Sequence, residues 1–267
     1  MLLEIARRAE SAGFSTLATI GRAAFPSFEE LITLAAAAAV TQRIGLMTDI
    51  LLASTREPVL LAKQAATLDQ LSGGRFVLGV GVGVRQDDFT VTGMNYHDRG
   101  KRMDAALELM HQAWRGEPVP GTTKAVTPRP VNGRTVPMMF GGNAEQVVRR
   151  VVKYGIGFTL GGGRPDALHG MMQRIDPAWK AAGREGRPEY RALSYFALGP
   201  DVAAEAERNI RAYYGDFGPR IFAAAPKTAE QAKERVKMFE AIGCDELIFF
   251  VTAPSIEQVD RLAAAVL

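Results

Sequence analysis

The sequence predicts a parallel α/β fold, and three observations predict it. Short apolar runs alternate with stretches of helical periodicity along the chain. The runs Ile44–Leu52 and Phe76–Val82 are apolar almost throughout instead of alternating, as strands buried on both faces are. Glycine clusters end several runs, as in Gly79-Val80-Gly81-Val82-Gly83, Gly141-Gly142 and Gly161-Gly162-Gly163. That placement favours a barrel whose active site lies at the C-terminal ends of its strands.

Taken in order, Leu2, Ile5, Ala6 and Ala9 share one face of a first helix, and Gly13 ends it. A strand over Ser15–Ile20 and a helix over Glu29–Thr41 follow. The stretch Arg43–Asp88 is a strand–helix–strand unit of the kind that builds parallel sheets. Pro58 opens its helix, where no amide partner is lost, and Ser72-Gly73-Gly74 stops it. Residues 86–100 read as an insertion before a helix to Trp114. Residues 116–135, with four prolines, form a long loop over the barrel mouth or side. Further strands are expected at Val136–Phe140, Phe158–Leu160, Leu193–Leu198 and Leu247–Val251, each followed by helix. Two helices, near Asp201–Tyr214 and Thr228–Ile242, separate the last two strands. The count is seven strands, and no linker divides residues 1–267, so one domain is expected.

Composition narrows the function classes. A chain of 267 residues with 47% hydrophobic content can bury a large core, and α/β barrels reach this length as one unit. The net charge of +3 is dispersed, without the aromatic-flanked basic tract of a nucleic-acid binder. A single cysteine, Cys244, excludes an internal disulfide and fits a reducing compartment; it reads as a small apolar residue before the last strand. The N-terminus lacks a signal-peptide pattern, and the run Leu34–Val40 is too short to span a bilayer. A soluble cytoplasmic protein, without nucleic-acid or membrane partners, is the expectation.

The run LAKQAATLDQLSGGRFVLGVGVG, followed by DDF and HDRGKRMD, resembles the luciferase-like flavin-dependent oxidoreductases, the bacterial luciferase superfamily. The resemblance extends from about Gly13 to the C-terminus. It implies a TIM-type (β/α)8 barrel, and chooses the barrel over an open sheet. In that fold a first strand precedes the helix that begins here at Met1, so the first strand is missing from this chain. An upstream segment is expected to complete the barrel; otherwise Ser15–Ile20 and Leu247–Val251 flank a gap.

The resemblance also implies a cofactor, FMN or the deazaflavin F420, bound at the C-terminal strand ends. The family's third strand carries a bulge with a non-prolyl cis peptide against the ring, matched here by Thr48, Asp49, Ile50 and Leu51, with the bond expected at Asp49–Ile50. A carboxylate such as Asp49 within an apolar strand is costly unless paired or placed in a site. Gly141-Gly142-Asn143 matches the family's phosphate turn, where glycines admit a phosphate and helix amides favour it; a plain turn with Asn143 as N-cap is chemically as valid. Gly161-Gly162-Gly163-Arg164 is a further candidate, for a phosphate tail or an acidic substrate, or else a flexible loop. Gly81 and Gly83 leave room for a ring, the GxGxG itself being a weak dinucleotide signal. The family's phosphate-binding arginine falls on Val82, and Arg85 is the nearest replacement.

Asp69, Ser72 and Arg75 read as structural, and Arg99 and Asp104 as anchors of the insertion. Of the histidines, His97 is a better functional candidate than His111 or His169, and no set has metal-ligand spacing. Two family features are absent. Thr19-Ile20-Gly21-Arg22 stands where many members carry an Asp-His pair, and Val84 where sugar-phosphate dehydrogenases carry a glutamate. No acid–base residue carries over, and sugar dehydrogenation by that pair is not expected. The implied activity is monooxygenation with reduced FMN and O2, or hydride transfer with F420, on a small organic substrate. A separate flavin or F420 reductase and a homodimer are implied by likeness alone. The rivals are a non-catalytic flavin-binding or structural relative, and a phosphate-sugar lyase or isomerase, the latter disfavoured because no lysine ends a strand.

Overall fold

The computed structural model describes every residue except 132 and 134. Helix α1 (Leu2–Ala12) leads into β1 (Thr16–Thr19), α2 (Glu30–Ala38), β2 (Gly45–Thr48) and the two-residue β3 (Leu51–Leu52). Next come α3 (Pro58–Leu71), β4 (Phe76–Gly81), α4 (Gln86–Thr92), α5 (Arg99–Trp114) and β5 (Met138–Gly141). Then follow α6 (Glu145–Tyr154), β6 (Gly157–Leu160), α7 (Pro165–Ala181), β7 (Glu189–Phe196) and α8 (Ala203–Tyr214). The chain continues through α9 (Gly218–Ala224), α10 (Ala229–Glu240), β8 (Glu246–Val251) and α11 (Ile256–Val266).

All the pairings are parallel, in the order β1-β2-β4-β5-β6-β7-β8, with β3 continuing β2 along β4. This is a nearly closed barrel of seven strands, the number the sequence predicts. Among the described residues β1 and β8 end the path without a ladder between them. Side chains bridge that seam: Ser15 donates to the Glu246 carboxylate, and Arg8 of α1 grips Asp260 of α11 at 2.6 and 2.9 Å.

Two apolar layers position the site. Between strands and helices lies the main core, with Leu46, Leu51, Phe76, Val80, Phe140 and Phe158 almost fully buried. Inside the barrel, Met47, Met139 and Ile248 pack with Ala18, Val77, Ile156 and Phe250. Alternation along a strand assigns odd and even residues to these two layers, and β2–β3 breaks it. The offset between partners on β2–β3 and β4 falls from 30 residues, Leu46 with Phe76, to 29, Leu51 with Val80. One extra residue is therefore inserted in this strand, the two-against-one count of a β-bulge. Met47 faces inward and Leu51 outward, so Asp49 and Ile50 between them are both directed off the outer layer. The Asp49–Ile50 peptide is cis, as the family resemblance implies.

Three elements differ from expectation. Strand β7 begins at Glu189, four residues before the predicted apolar run, because Glu189 and Arg191 face a polar barrel base and hide the strand from a hydrophobic reading. The insertion contains a short helix, α4, and an unpredicted α9 follows α8. The long loop runs along the side, not the mouth: Lys63 and Gln70 of α3 donate to the carbonyls of Thr127 and Arg129, and the Val131 amide donates to Asp69 at 2.7 Å.

Gly79 shows how tightly β2 and β4 approach. A Cβ there would lie 1.9 Å from the Thr48 carbonyl oxygen, whereas Gly170 in α7 has nothing within 4 Å of its missing Cβ. Gly79→Ala is expected to cost about 2–3 kcal/mol through forced backbone displacement. Gly170→Ala is expected to gain about 0.5–1 kcal/mol from helix propensity. Urea unfolding of the two variants against the parent checks both signs.

Candidate active site

The bulge delivers Asp49 into the upper barrel. Its side chain is 2% exposed and accepts a bond from the Thr159 hydroxyl of β6 at 2.8 Å. Its second oxygen, Oδ2, is buried with no hydrogen-bond partner. Burial pushes the carboxyl up to about 6; the Thr159 bond and the charge of Arg191 oppose this, and the charge of Glu246 adds to it. A buried carboxyl with a vacant oxygen can hold or release a proton near neutral pH.

The neighbouring positions divide by function. Thr48 is buried and ties the strands together, its hydroxyl donating to the Gly79 carbonyl at 2.7 Å. Ile50 lies across the glycines, since a Cβ on Gly81 would sit 2.1 Å from its Cδ1 and one on Gly141 3.1 Å away. These glycines make room for Ile50, which supplies a half-buried apolar surface at the strand ends. Leu51 points into the outer core, so the structure does not bring it to the site. Gly83, at φ 87°, is packed beneath Phe89 and Leu52.

At the end of β5, Gly142 has φ 125° and is exposed. Helix α6 starts three residues later, at Glu145. Its N-cap is Ala144, which offers no side-chain acceptor, and not Asn143 as the alternative turn reading would have it. The first amides of α6 are thus left for an external acceptor. Arg174 of α7 reaches the Asn143 carbonyl at 3.3 Å and the Glu145 carboxylate at 2.6 Å, holding a cation beside the turn. Gly161 and Gly162 border open space, and Arg164 is exposed and pairs with Asp166 at 3.3 Å.

The opposite rim is built from residues far apart in sequence. Arg22, whose side chain is 7% exposed, pairs with Asp87 and, at 3.2 Å, with Asp88 of α4. Its guanidinium also sits 5.6 Å from the ring centre of Tyr213. Arg85 lies over Tyr213 and Tyr214 at 4.7 and 5.2 Å. Tyr214 exchanges a 2.6 Å hydroxyl–hydroxyl bond with Tyr195 of β7, which packs on Phe250 of the barrel interior. Burial raises both phenols, Tyr195 well above the usual range, and the Asp49 charge raises them further. Sequence reasoning missed Tyr195 and Tyr214; the signal that could have found Tyr195 is its inward parity with Arg191 on β7.

Other residues take the structural parts expected of them. Asp69 receives the Val131 amide, Ser72 donates to the Asp69 carbonyl, and Arg75 donates to the carbonyls of Ser72 and Ile44. Arg99 holds the insertion through the Gly83 and Tyr96 carbonyls, but Asp104 instead pairs with Arg150, docking α5 on α6 at 2.7 Å. His97, Val84 and His169 are exposed. His111 is buried against Tyr154, and burial lowers it to about 4. Cys244 is half-buried and pushed up to about 11 by burial, the behaviour of a packing residue and not of a nucleophile.

The Luciferase-like monooxygenase family model matches residues 1–246. The chain belongs to that family. An uncharacterised protein of Mycobacterium tuberculosis is 32% identical over 178 residues, covering 63% of this chain and 60% of the relative. The match thus spans less than two thirds of that relative's length. Among solved structures, an F420-dependent secondary alcohol dehydrogenase bound to an F420–acetone adduct superposes with TM-score 0.78 at 19% identity, covering 99% of this chain and 93% of that one. The oxygenating constituent of 3,6-diketocamphane monooxygenase from Pseudomonas putida, in complex with FMN, gives TM-score 0.74 at 17% identity, with 98% and 89% covered. Identities this low establish the luciferase-like fold alone. No helix of the described residues is long and apolar enough to cross a membrane.

Asp49 gives this family member a testable pH dependence. Its folded pKa of about 6 lies above the ordinary value of 3.8. The folded state therefore binds more protons between these values, and stability falls as pH rises through that window, then levels off. Asp49→Asn removes the effect. Its stability relative to the parent is expected to rise by up to about 3 kcal/mol between about pH 4 and about pH 7, measured by urea unfolding at each pH.

Proposed function

We propose that the chain is a flavin- or deazaflavin-dependent oxidoreductase acting on a small organic substrate, with the cofactor at the C-terminal mouth of the barrel. The observation that carries this reading is the pairing of Asp49, whose buried Oδ2 has no partner, with the uncapped amides after Gly142. The residues fit such a cofactor. A ring needs an apolar surface, which Ile50 supplies across Gly81 and Gly141. A phosphate needs free amides and a nearby cation, which Gly142, Asn143, the start of α6 and Arg174 supply. The loop at Gly161 and Gly162 has open space for the remainder of a longer tail.

When bound, reduced FMN would supply oxygen activation, and reduced F420 hydride transfer. The chain's own part is to orient the ring on Ile50, hold the phosphate, and keep water from the reacting edge. Tyr195, Tyr214 and Phe250 close the rim opposite Asp49. The FMN- and F420-bound structures of similar fold support both cofactors equally. A separate reductase as the source of reduced cofactor, and assembly as a homodimer, are proposed from likeness to the family alone.

Titrating the protein with FMN and with F420 tests the reading, and Gly142→Val tests the site. The β-branched side chain would stand where the phosphate approaches, on a backbone at φ 125°. The expected result is at least a tenfold weaker affinity, about 1.4 kcal/mol, with melting used to confirm that the fold is kept. Failure of the parent protein to bind either cofactor would overturn the function, and unchanged affinity in a folded Gly142→Val would overturn the site.

A further inference from the structure

The interior and base of the barrel hold six ionisable side chains, and geometry assigns different work to each. Arg191 is bound to Glu246 at 3.0 Å and to Glu189 at 3.1 Å, and touches the Met47 sulfur at 3.3 Å. Ser15 supplies a further donor to Glu246. This group forms an ion-paired plug at the base of the barrel, with one cation held between two carboxylates. Tyr195 and Tyr214 spend one proton on their mutual bond, leaving one hydroxyl proton without an acceptor among the described residues. Asp49 is the remaining group. Among the described residues no cation pairs with it; its Oδ1 is bonded to Thr159, and its buried Oδ2 has no partner.

We propose that Asp49 is the proton donor of the active site. This rests on the oxidoreductase reading above. The positions that supply acid–base groups in other family members are here Thr19-Ile20-Gly21-Arg22 and Val84, none of which can serve. Arg22 is committed to Asp87 and Asp88, and Val84 is 78% exposed. The phenols retain their protons, since burial and the Asp49 charge raise both. Asp49 alone is poised between its two forms.

The step balances. With a reduced cofactor bound, a hydride would pass to a carbonyl carbon of the substrate, forming a C–H bond there, moving the carbonyl π pair onto its oxygen as negative charge, and leaving the cofactor oxidised by two electrons. The O–H bond of the Asp49 carboxyl breaks, an O–H bond to that oxygen forms, and the carboxylate left behind is reprotonated from solvent. Thr159 of β6 bonds Asp49 directly, and the charges of Arg191 on β7 and Glu246 on β8 act on it from a longer range, as its own charge acts on Tyr195 of β7 and Tyr214 of α8. Arg191 favours the carboxylate and Glu246 the acid, so the plug beneath holds the group near its switching point.

Two measurements test the assignment without an enzyme assay. Infrared difference spectra of the cofactor-free protein, recorded as pH is raised, should lose a protonated-carboxyl band with a midpoint near 6. Asp49→Asn should lack that band, and Tyr195→Phe should keep it. In the FMN- or F420-loaded protein, one extra proton taken up on reduction steepens the dependence of midpoint potential on pH by about 30 mV per unit for a two-electron couple. That steepening should appear around the Asp49 midpoint and vanish in Asp49→Asn. A titrating band that survives Asp49→Asn, or is abolished by Tyr195→Phe, would overturn the proposal. So would a loaded Asp49→Asn whose potential follows pH as the parent's does. Failure to bind FMN and F420 is a failure of the oxidoreductase reading, and the cofactor-free spectra still decide the state of Asp49.

Discussion

The site depends on one register change. Between Leu46 and Leu51, strand β2–β3 carries one residue more than β4, and the surplus is absorbed at Asp49–Ile50. A strict alternation would have placed Leu51 inside and Ile50 in the outer core. With the bulge, Leu51 stays packed against the helices while Asp49 and Ile50 both leave that layer. The partner strand is shaped to permit this. Gly79 passes directly beneath the Thr48 carbonyl, and Gly81 and Gly141 yield the volume that Ile50 fills. Thr48 then secures the kinked strand by bonding the Gly79 carbonyl. The glycine-rich end of β4 is thus explained by packing on β2–β3.

Charge inside the barrel is layered. At the base, Arg191 is neutralised by Glu189 and Glu246, and Ser15 ties that network to the seam between β1 and β8. Above it, Met47, Met139 and Ile248 form an apolar tier. Asp49 stands over this tier, 2% exposed, where an ionised carboxylate is poorly solvated and no cation pairs with it directly. A salt bridge to Arg191 would have fixed it as an anion. Commitment of Arg191 to the glutamates below leaves only a longer-range attraction, and the carboxyl settles at about 6.

Much of this was legible in the sequence, for identifiable reasons. The strands of the central unit are uniformly apolar and their helix is marked by Pro58 and Gly73-Gly74, so pattern alone locates them. Asp49 stands out as the lone carboxylate of its run, and the glycine pair at 141–142 marks a strand end. What was not legible depends on facing. Leu51 looks like its neighbours, and only the bulge count sends it outward. The first half of β7 was missed because its inward residues Glu189 and Arg191 are charged, which reads as a loop until Arg191 is seen to pair with both Glu189 and Glu246. Tyr195 and Tyr214 are joined by a contact between a strand and the end of the following helix, which periodicity cannot encode.

The fate of Arg22 closes the argument about why the carboxyl at position 49 matters. In the turn after β1, where many luciferase-like proteins present an Asp-His pair, this chain places Gly21 and Arg22. Gly21 is forced by Glu30, whose side chain occupies the space of any Cβ there, while Glu30 itself is held by Arg56 at 2.6 Å. Arg22 turns toward the insertion and clasps Asp87 and Asp88, with Asp88 also receiving the Ala24 amide at 2.9 Å. Removing Asp88 or Arg22, the buried members of this set, leaves an uncompensated charge, at a cost of about 3–5 kcal/mol, so this turn is committed to holding α4 on the barrel. A guanidinium in that clasp cannot accept or deliver a proton near neutral pH. The rim at β1 therefore holds α4 on the barrel, and the bulge on the neighbouring strand carries the carboxyl proposed as the proton donor.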